Sequence, residues 1–166
     1  RRFALDAYRR FISMFGTIVM NIAGEKFSRV LERFKHQTPN NLDSELNEEQ
    51  LTAIIDTYKR IIFSDQHGTA FPQDATVQLR MAISAVFDSW HRRRAIDYRR
   101  IHNIPESLGT AVNVQAMVFG NRGNDSGTGV TFTRNPSTGE KRMFGEYLLN
   151  AQGEDVVAGI RTPKPV

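Results

Sequence analysis

The chain has 166 residues, 40% hydrophobic and 24% charged, which is length and apolar content enough for a buried core and excludes a disordered polymer. Its 22 Lys and Arg against 18 Asp and Glu leave a formal charge of +4, an excess that attracts an anion such as a nucleotide without singling out nucleic acid. Cysteine is absent, which rules out a disulfide framework and cysteine-based metal or nucleophile sites, and Arg, Asp or Gly interrupts every long apolar stretch, so no membrane span is expected.

The sequence opens Arg1-Arg2-Phe3 with neither methionine nor a signal peptide, and is expected to be an internal piece of a longer protein. Helical spacing of Tyr8, Phe11, Ile12, Phe15, Ile18, Val19 and Ile22 predicts a first helix over residues 3–22, closed by Gly24. A short amphipathic helix is predicted over residues 27–34, and Pro39-Asn40-Asn41 reads as a turn. Asn47 and Gln50 have the spacing of a capping box, opening a helix whose inner face is Leu51, Ile54, Ile55, Tyr58, Ile61 and Ile62. Pro72 is placed in the first turn of the next helix. That helix carries Leu79, Ala82, Ile83, Val86, Phe87 and Trp90 on one side and is expected to run on to about Tyr98.

Near residue 105 the texture changes towards strands. Val112, Val114, Ala116 and Val118 alternate with Ala111, Asn113, Gln115 and Met117, which predicts a strand with one face in a core. Gly120, Gly123, Gly127 and Gly129 punctuate a loop, residues 130–133 form a second strand, and residues 135–139 a turn. Further strands are expected over residues 143–149 and 156–160. The fold class is therefore α+β, divided as a helical subdomain at residues 1–72, a helix plus strand at 73–118 and a Gly-punctuated β segment at 119–166.

Few residues suggest chemistry. His91-Arg92-Arg93-Arg94 with Arg99-Arg100 could meet phosphate, or form a solvated helix face paired with acidic neighbours; scarce aromatic interleaving favours the second. The loop over residues 120–129 has the composition of a phosphate cradle but lacks the Lys-Ser or Lys-Thr of a Walker A loop, and a hairpin connection is preferred. His36, His67, His91 and His102 share no metal-ligand spacing. A pair among Glu140, Glu146, Glu154 and Asp155 could hold Mg²⁺, or simply keep the β edge soluble. Gln115 is an amide in an otherwise apolar strand, able to offer a donor and an acceptor to a base or to face water.

Two stretches carry a resemblance. Phe144-Gly145-Glu146-Tyr147-Leu148-Leu149-Asn150-Ala151-Gln152-Gly153-Glu154-Asp155, running on to Pro163, and Gly127-Thr128-Gly129-Val130-Thr131-Phe132-Thr133-Arg134-Asn135-Pro136, running on to Glu140, resemble the pyruvate, phosphate dikinase family. Tyr8-Arg9-Arg10-Phe11-Ile12 and Ser89-Trp90 extend the likeness to the helical half, so it covers nearly the whole chain.

The resemblance implies part of an ATP-grasp-like nucleotide-binding sheet preceded by a helical subdomain, and a parent that converts ATP, pyruvate and phosphate to AMP, phosphoenolpyruvate and pyrophosphate through a phosphohistidine on another domain. Gln115 and the backbone near Met117 are then the expected ATP contacts, with residues 127–133 supporting the pocket; Glu154 receives no role. No catalytic or metal-binding residue is assigned, because the phosphate-gripping and metal-holding groups of the family find no match here. The implied cofactors are ATP and Mg²⁺. The implied partner is the phosphohistidine domain of the same polypeptide, in a homodimeric parent of the cytoplasm or of an organelle such as the plastid or glycosome, with neither nucleic acid nor membrane as partner. Two alternatives stand beside it: a phosphoenolpyruvate synthase-like domain, against which residues 150–154 argue, and a non-enzymatic module whose basic helix docks an acidic partner.

Overall fold

The computed structural model describes residues 1–157, 159 and 161–166. They form two compact units, Arg1–Val114 and Gln115–Val166. The α+β class holds: the described residues form six α-helices, two short 3-10 helices and one three-stranded sheet.

The first unit is built on α1 (Arg2–Ile18), α2 (Glu25–Lys35) and α3 (Glu48–Asp65). Their apolar stripes meet in one core that includes Ile12, Phe15, Ile22, Phe27, Leu46, Tyr58 and Ile62. Gly16 makes the closest approach possible, since a Cβ there would stand 2.6 Å from the Phe27 ring. Phe27 in turn packs edge-on against Tyr58 at 5.0 Å, and Phe71 closes the core against Tyr8, Phe11 and Phe15. The helix α1 stops earlier than its stripe: Asn21 turns left-handed at φ 56°, and the Ile22 N–H donates to the Gly16 carbonyl at 3.0 Å. This lets Ile22 fold back into the core after the helix has ended, four residues before the predicted boundary.

Polar groups inside this unit are paired. Arg9, 3% exposed, donates through Nε to Asp6 Oδ1 at 2.9 Å and through Nη2 to Asp43 Oδ2 at 2.8 Å. Arg2 ties down the same turn, donating to the Leu46 carbonyl at 2.7 Å and the Asp43 carbonyl at 2.8 Å. Burial of this kind is tolerated only because each charge has its counter-charge and its hydrogen bonds. The Asn47 capping box forms as the spacing predicts, Asn47 Oδ1 accepting from the Gln50 N–H at 2.8 Å and Gln50 Oε1 from the Asn47 N–H at 3.0 Å.

Two more helices, α4 (Ala75–Ser89) and α5 (Arg93–Ile101), complete the unit. Asp74 caps α4, accepting from the Val77 N–H at 2.9 Å, so Pro72 lies ahead of the cap and not in the first turn. The expected continuous helix to Tyr98 breaks at residues 90–92. The Trp90 carbonyl accepts from Arg99 Nη1 at 2.6 Å, Trp90 Nε1 donates to the Glu106 carbonyl at 3.3 Å, and Arg92 turns extended at ψ 147°. Side-chain bonds thus replace the backbone bonds a continuous helix would make there.

In the second unit, β1 (Gly127–Phe132) and β2 (Phe144–Leu149) pair antiparallel from Gly127 opposite Leu149 to Phe132 opposite Phe144. The turn between them is fixed by Asn135 Oδ1, which accepts from the N–H groups of Ser137 and Thr138 at 2.9 and 3.2 Å. A short strand β3 (Lys164–Pro165) adds to β2, and a helix α6 (Gly153–Val157) packs on the sheet through Val156, with Leu148, Ala151 and Val130. Residues 156–160 are thus not the expected strand: Val156 and Val157 end α6, and positions 158 and 160 lie outside the described residues. The Asp155 carboxylate accepts from the Gln152 N–H at 2.8 Å, and this reach-back to the helix entrance selects helix over strand.

Candidate functional site

The predicted strand over residues 112–118 does not form. These residues belong to no helix or strand, and Met117 and Val118 are 62% and 90% exposed. A strand needs a hydrogen-bonded neighbour, and no described residue offers its backbone to residues 110–118. Gly109 turns the chain into the segment at φ 70°, ψ −170°, where a residue with a Cβ is strained. Gln115 is exposed, and its side-chain amide makes no hydrogen bond with a described residue. The structure thus leaves the backbone N–H and C=O groups of nine consecutive residues without a described partner, with two side-chain amides, Asn113 and Gln115, among them.

The glycine loop that follows is organised by a residue the sequence reading did not single out. Ser126 Oγ accepts from the N–H groups of Arg122 and Gly123 at 3.0 and 3.1 Å, and lies 2.8 Å from the Gly123 carbonyl. Those two amides point inward to a hydroxyl, so the loop is not an open anion cradle. It is not a hairpin connection either, because only β1 leaves it as a strand. Instead it is stapled to the end of β2. The N–H groups of Ala151 and Asn150 donate to the carbonyls of Gly120 and Ser126 at 2.9 and 2.8 Å, and Gln152 Nε2 donates to Asn121 Oδ1 at 2.8 Å. Gly120 is required by this approach: a Cβ there would stand 2.4 Å from the Gly127 carbonyl and 2.5 Å from that of Ala151. A serine inside a run of glycines was the available signal.

The basic cluster divides. Arg99 is buried, its guanidinium 3.9 Å over the Trp90 ring, and has a structural role. Arg93 pairs with Asp97 at 2.8 Å, as the solvated-face reading expects. Arg92 and Arg94, with Trp90 and Tyr98, line an open cleft of about 450 Å³. All four histidines are exposed, and His102 stacks on Tyr98 at 4.2 Å. Of the acids, Glu140 pairs with Arg142 at 3.4 Å and Asp155 caps α6. Among the described residues no group of three or more His, Asp or Glu is placed to hold a metal ion. Nor is any described helix long and apolar enough to cross a membrane.

Residues 18–166 match the family of the pyruvate phosphate dikinase AMP/ATP-binding domain. The chain belongs to that family. It is 58% identical over 165 residues to pyruvate, phosphate dikinase of Rhizobium meliloti, covering 99% of this chain and 18% of the relative. Against the chloroplastic pyruvate, phosphate dikinase of Mesembryanthemum crystallinum it is 56% identical over 163 residues, 98% of this chain and 17% of the relative. The Clostridium symbiosum pyruvate, phosphate dikinase is 51% identical over 165 residues, 99% of this chain and 19% of the relative. The chain therefore spans under a fifth of the length of these dikinases. The matched region starts inside α1 and takes in the whole second unit, so the dikinase resemblance carried by residues 127–140 and 144–163 holds. With these relatives more than half identical, the synthase-like alternative is not favoured.

Proposed function

We propose that this chain forms part of the ATP-binding domain of a pyruvate, phosphate dikinase, and that residues 110–118 are its adenine-side edge. The parent reaction is ATP, pyruvate and phosphate to AMP, phosphoenolpyruvate and pyrophosphate, by way of a phosphohistidine carried on another domain of the same polypeptide. The observation that carries the reading is the segment outside any ladder whose N–H and C=O groups have no partner among the described residues, in a chain of an AMP/ATP-binding family. A purine edge presents a donor beside an acceptor, which an unpaired backbone edge can meet. In this reading the backbone near Met117 binds the base, the Gln115 amide adds a donor or an acceptor, and residues 127–133 support the pocket. The sheet completed in this way is ATP-grasp-like.

Catalysis is not assigned to this chain. Mg²⁺ on the nucleotide is proposed to be held mainly by residues of the parent outside this chain. Positioning the transferring phosphate falls to other parts of the parent, so the isolated chain is expected to show no phosphotransfer. The proposed parent is a homodimer of the cytoplasm or of an organelle such as the plastid.

The test is nucleotide titration of the intact parent carrying Gln115→Ala. Losing one neutral hydrogen bond of about 0.5–1.5 kcal/mol weakens ATP binding by about 2- to 13-fold, with the melting temperature kept. Unchanged affinity removes Gln115 from the site.

A further inference from the structure

A groove of about 470 Å³ runs between α2 and α3, lined by Lys26, Arg33, Thr57, Arg60, Ser64 and Asp65 with Ile61 among them. Its volume suits a small ligand. The helices are antiparallel here: Lys26 at the start of α2 pairs with Asp65 at the end of α3. That ion pair uses the groove's one carboxylate and leaves both guanidinium groups uncompensated. Arg33 lies over the Phe34 ring at 5.4 Å and meets no carboxylate among the described residues. Arg60 has Asp56 one turn back, the spacing of a helical ion pair, yet does not use it. Its Nε donates to the Asp56 backbone carbonyl at 3.4 Å and its Nη2 to Thr57 Oγ1 at 3.2 Å. The Ser64 hydroxyl makes no hydrogen bond with a described residue.

We propose that the α2–α3 groove binds a small phosphate-bearing anion, with Arg33 and Arg60 taking its oxygens and Ser64 donating a hydroxyl proton. A guanidinium fork matches two phosphate oxygens at once, and two arginines lining one groove give a dianion more than a screened surface charge can. The groove lies wholly in the helical unit and does not depend on the role proposed for Gln115.

The experiment is titration of the full chain with pyrophosphate at constant ionic strength, followed by the Nε–H resonances of its arginines. Expected are saturable shifts confined to Arg33 and Arg60, sharing one dissociation constant. Arg33→Ala combined with Arg60→Ala weakens binding tenfold or more. Arg29→Ala, which removes an exposed cation of α2 outside the lining, leaves the constant within twofold. Lysine at positions 33 and 60 keeps the charge but loses the fork, and is expected to restore only part of the affinity. Parallel titrations with a sugar phosphate and with inorganic phosphate separate an ester from a free phosphate by which saturates first. Shifts spread evenly over exposed arginines, or equal weakening by Arg29→Ala, would overturn the proposal.

Discussion

The two units settle the same accounting problem in different ways. In the helical unit eleven buried residues form one core, and its buried charges are met, Asp6 and Arg9 by each other and Asp43, Arg99 by the carbonyl and ring of Trp90. In the second unit three buried residues among those described, Leu148, Ala151 and Val156, hold a sheet whose stability rests on close backbone approach at glycines and on the Ser126 staple. The first unit hides its polar groups. Residues 110–118, which run across the sequence boundary between the two units, leave a stretch of backbone without described partners, and that is the stretch proposed to take a base. A region that must accept a ligand retains bonding capacity which a purely structural region uses up.

The sharpest way to break this comparison is Asp6→Ala. It removes the buried one of the two carboxylates that Arg9 meets, leaving only the part-exposed Asp43, and is expected to cost the helical unit about 3 kcal/mol, while amide exchange at residues 127–149 stays as it was. Equal loss of protection in both units would show that they do not fold as separate bodies.

Tyr58 gives a smaller, pH-dependent effect. Burial, opposed by nearby Arg9, pushes its phenol up to about 12 from 10.0. The protonated form is therefore the one the fold favours, so this contribution is complete below pH 10 and is lost as pH rises through 12. The expected loss is about 2 kcal/mol by that point, at 1.36 kcal/mol per pKa unit, seen as a falling denaturation midpoint. Tyr58→Phe should remove the alkaline slope attributable to this group; an unchanged slope would place the titration elsewhere.

The smallest change tests the second unit. Ser126→Ala leaves the N–H groups of Arg122 and Gly123 without their acceptor, at a cost of about 1 kcal/mol with water able to replace part of it. Faster hydrogen exchange at those two amides, with the helical unit's melting unmoved, is the expected result.

How far the sequence could be read follows the same division. Asn47 and Gln50 carry their own instruction, because a capping box is local, and it forms as written. Leu51, Ile54, Ile55, Tyr58 and Ile62 are buried as their spacing predicts, because α1 and α2 supply the facing stripes within the same chain. The side of α4 bearing Leu79, Val86 and Phe87 has the same kind of pattern, yet these three are 43%, 39% and 48% exposed. The alternation over residues 112–118 likewise signals a face to be buried and an edge to be paired, but period alone does not say which polypeptide provides the cover. Gln115 and Met117 entered through amide chemistry and the dikinase resemblance, since their spacing alone left water and ligand equally open. Ser126 escaped notice because its role depends on where the loop's amides point, a tertiary fact.

The chain's single tryptophan is Trp90, with the Arg99 guanidinium over its indole at 3.9 Å. A cation resting on the ring sets its emission, so fluorescence here reports on the elbow between α4 and α5 and not on the integrity of the whole molecule. Loosening of that elbow would brighten or shift the signal while both cores are still intact, giving the chain a built-in optical probe of one joint.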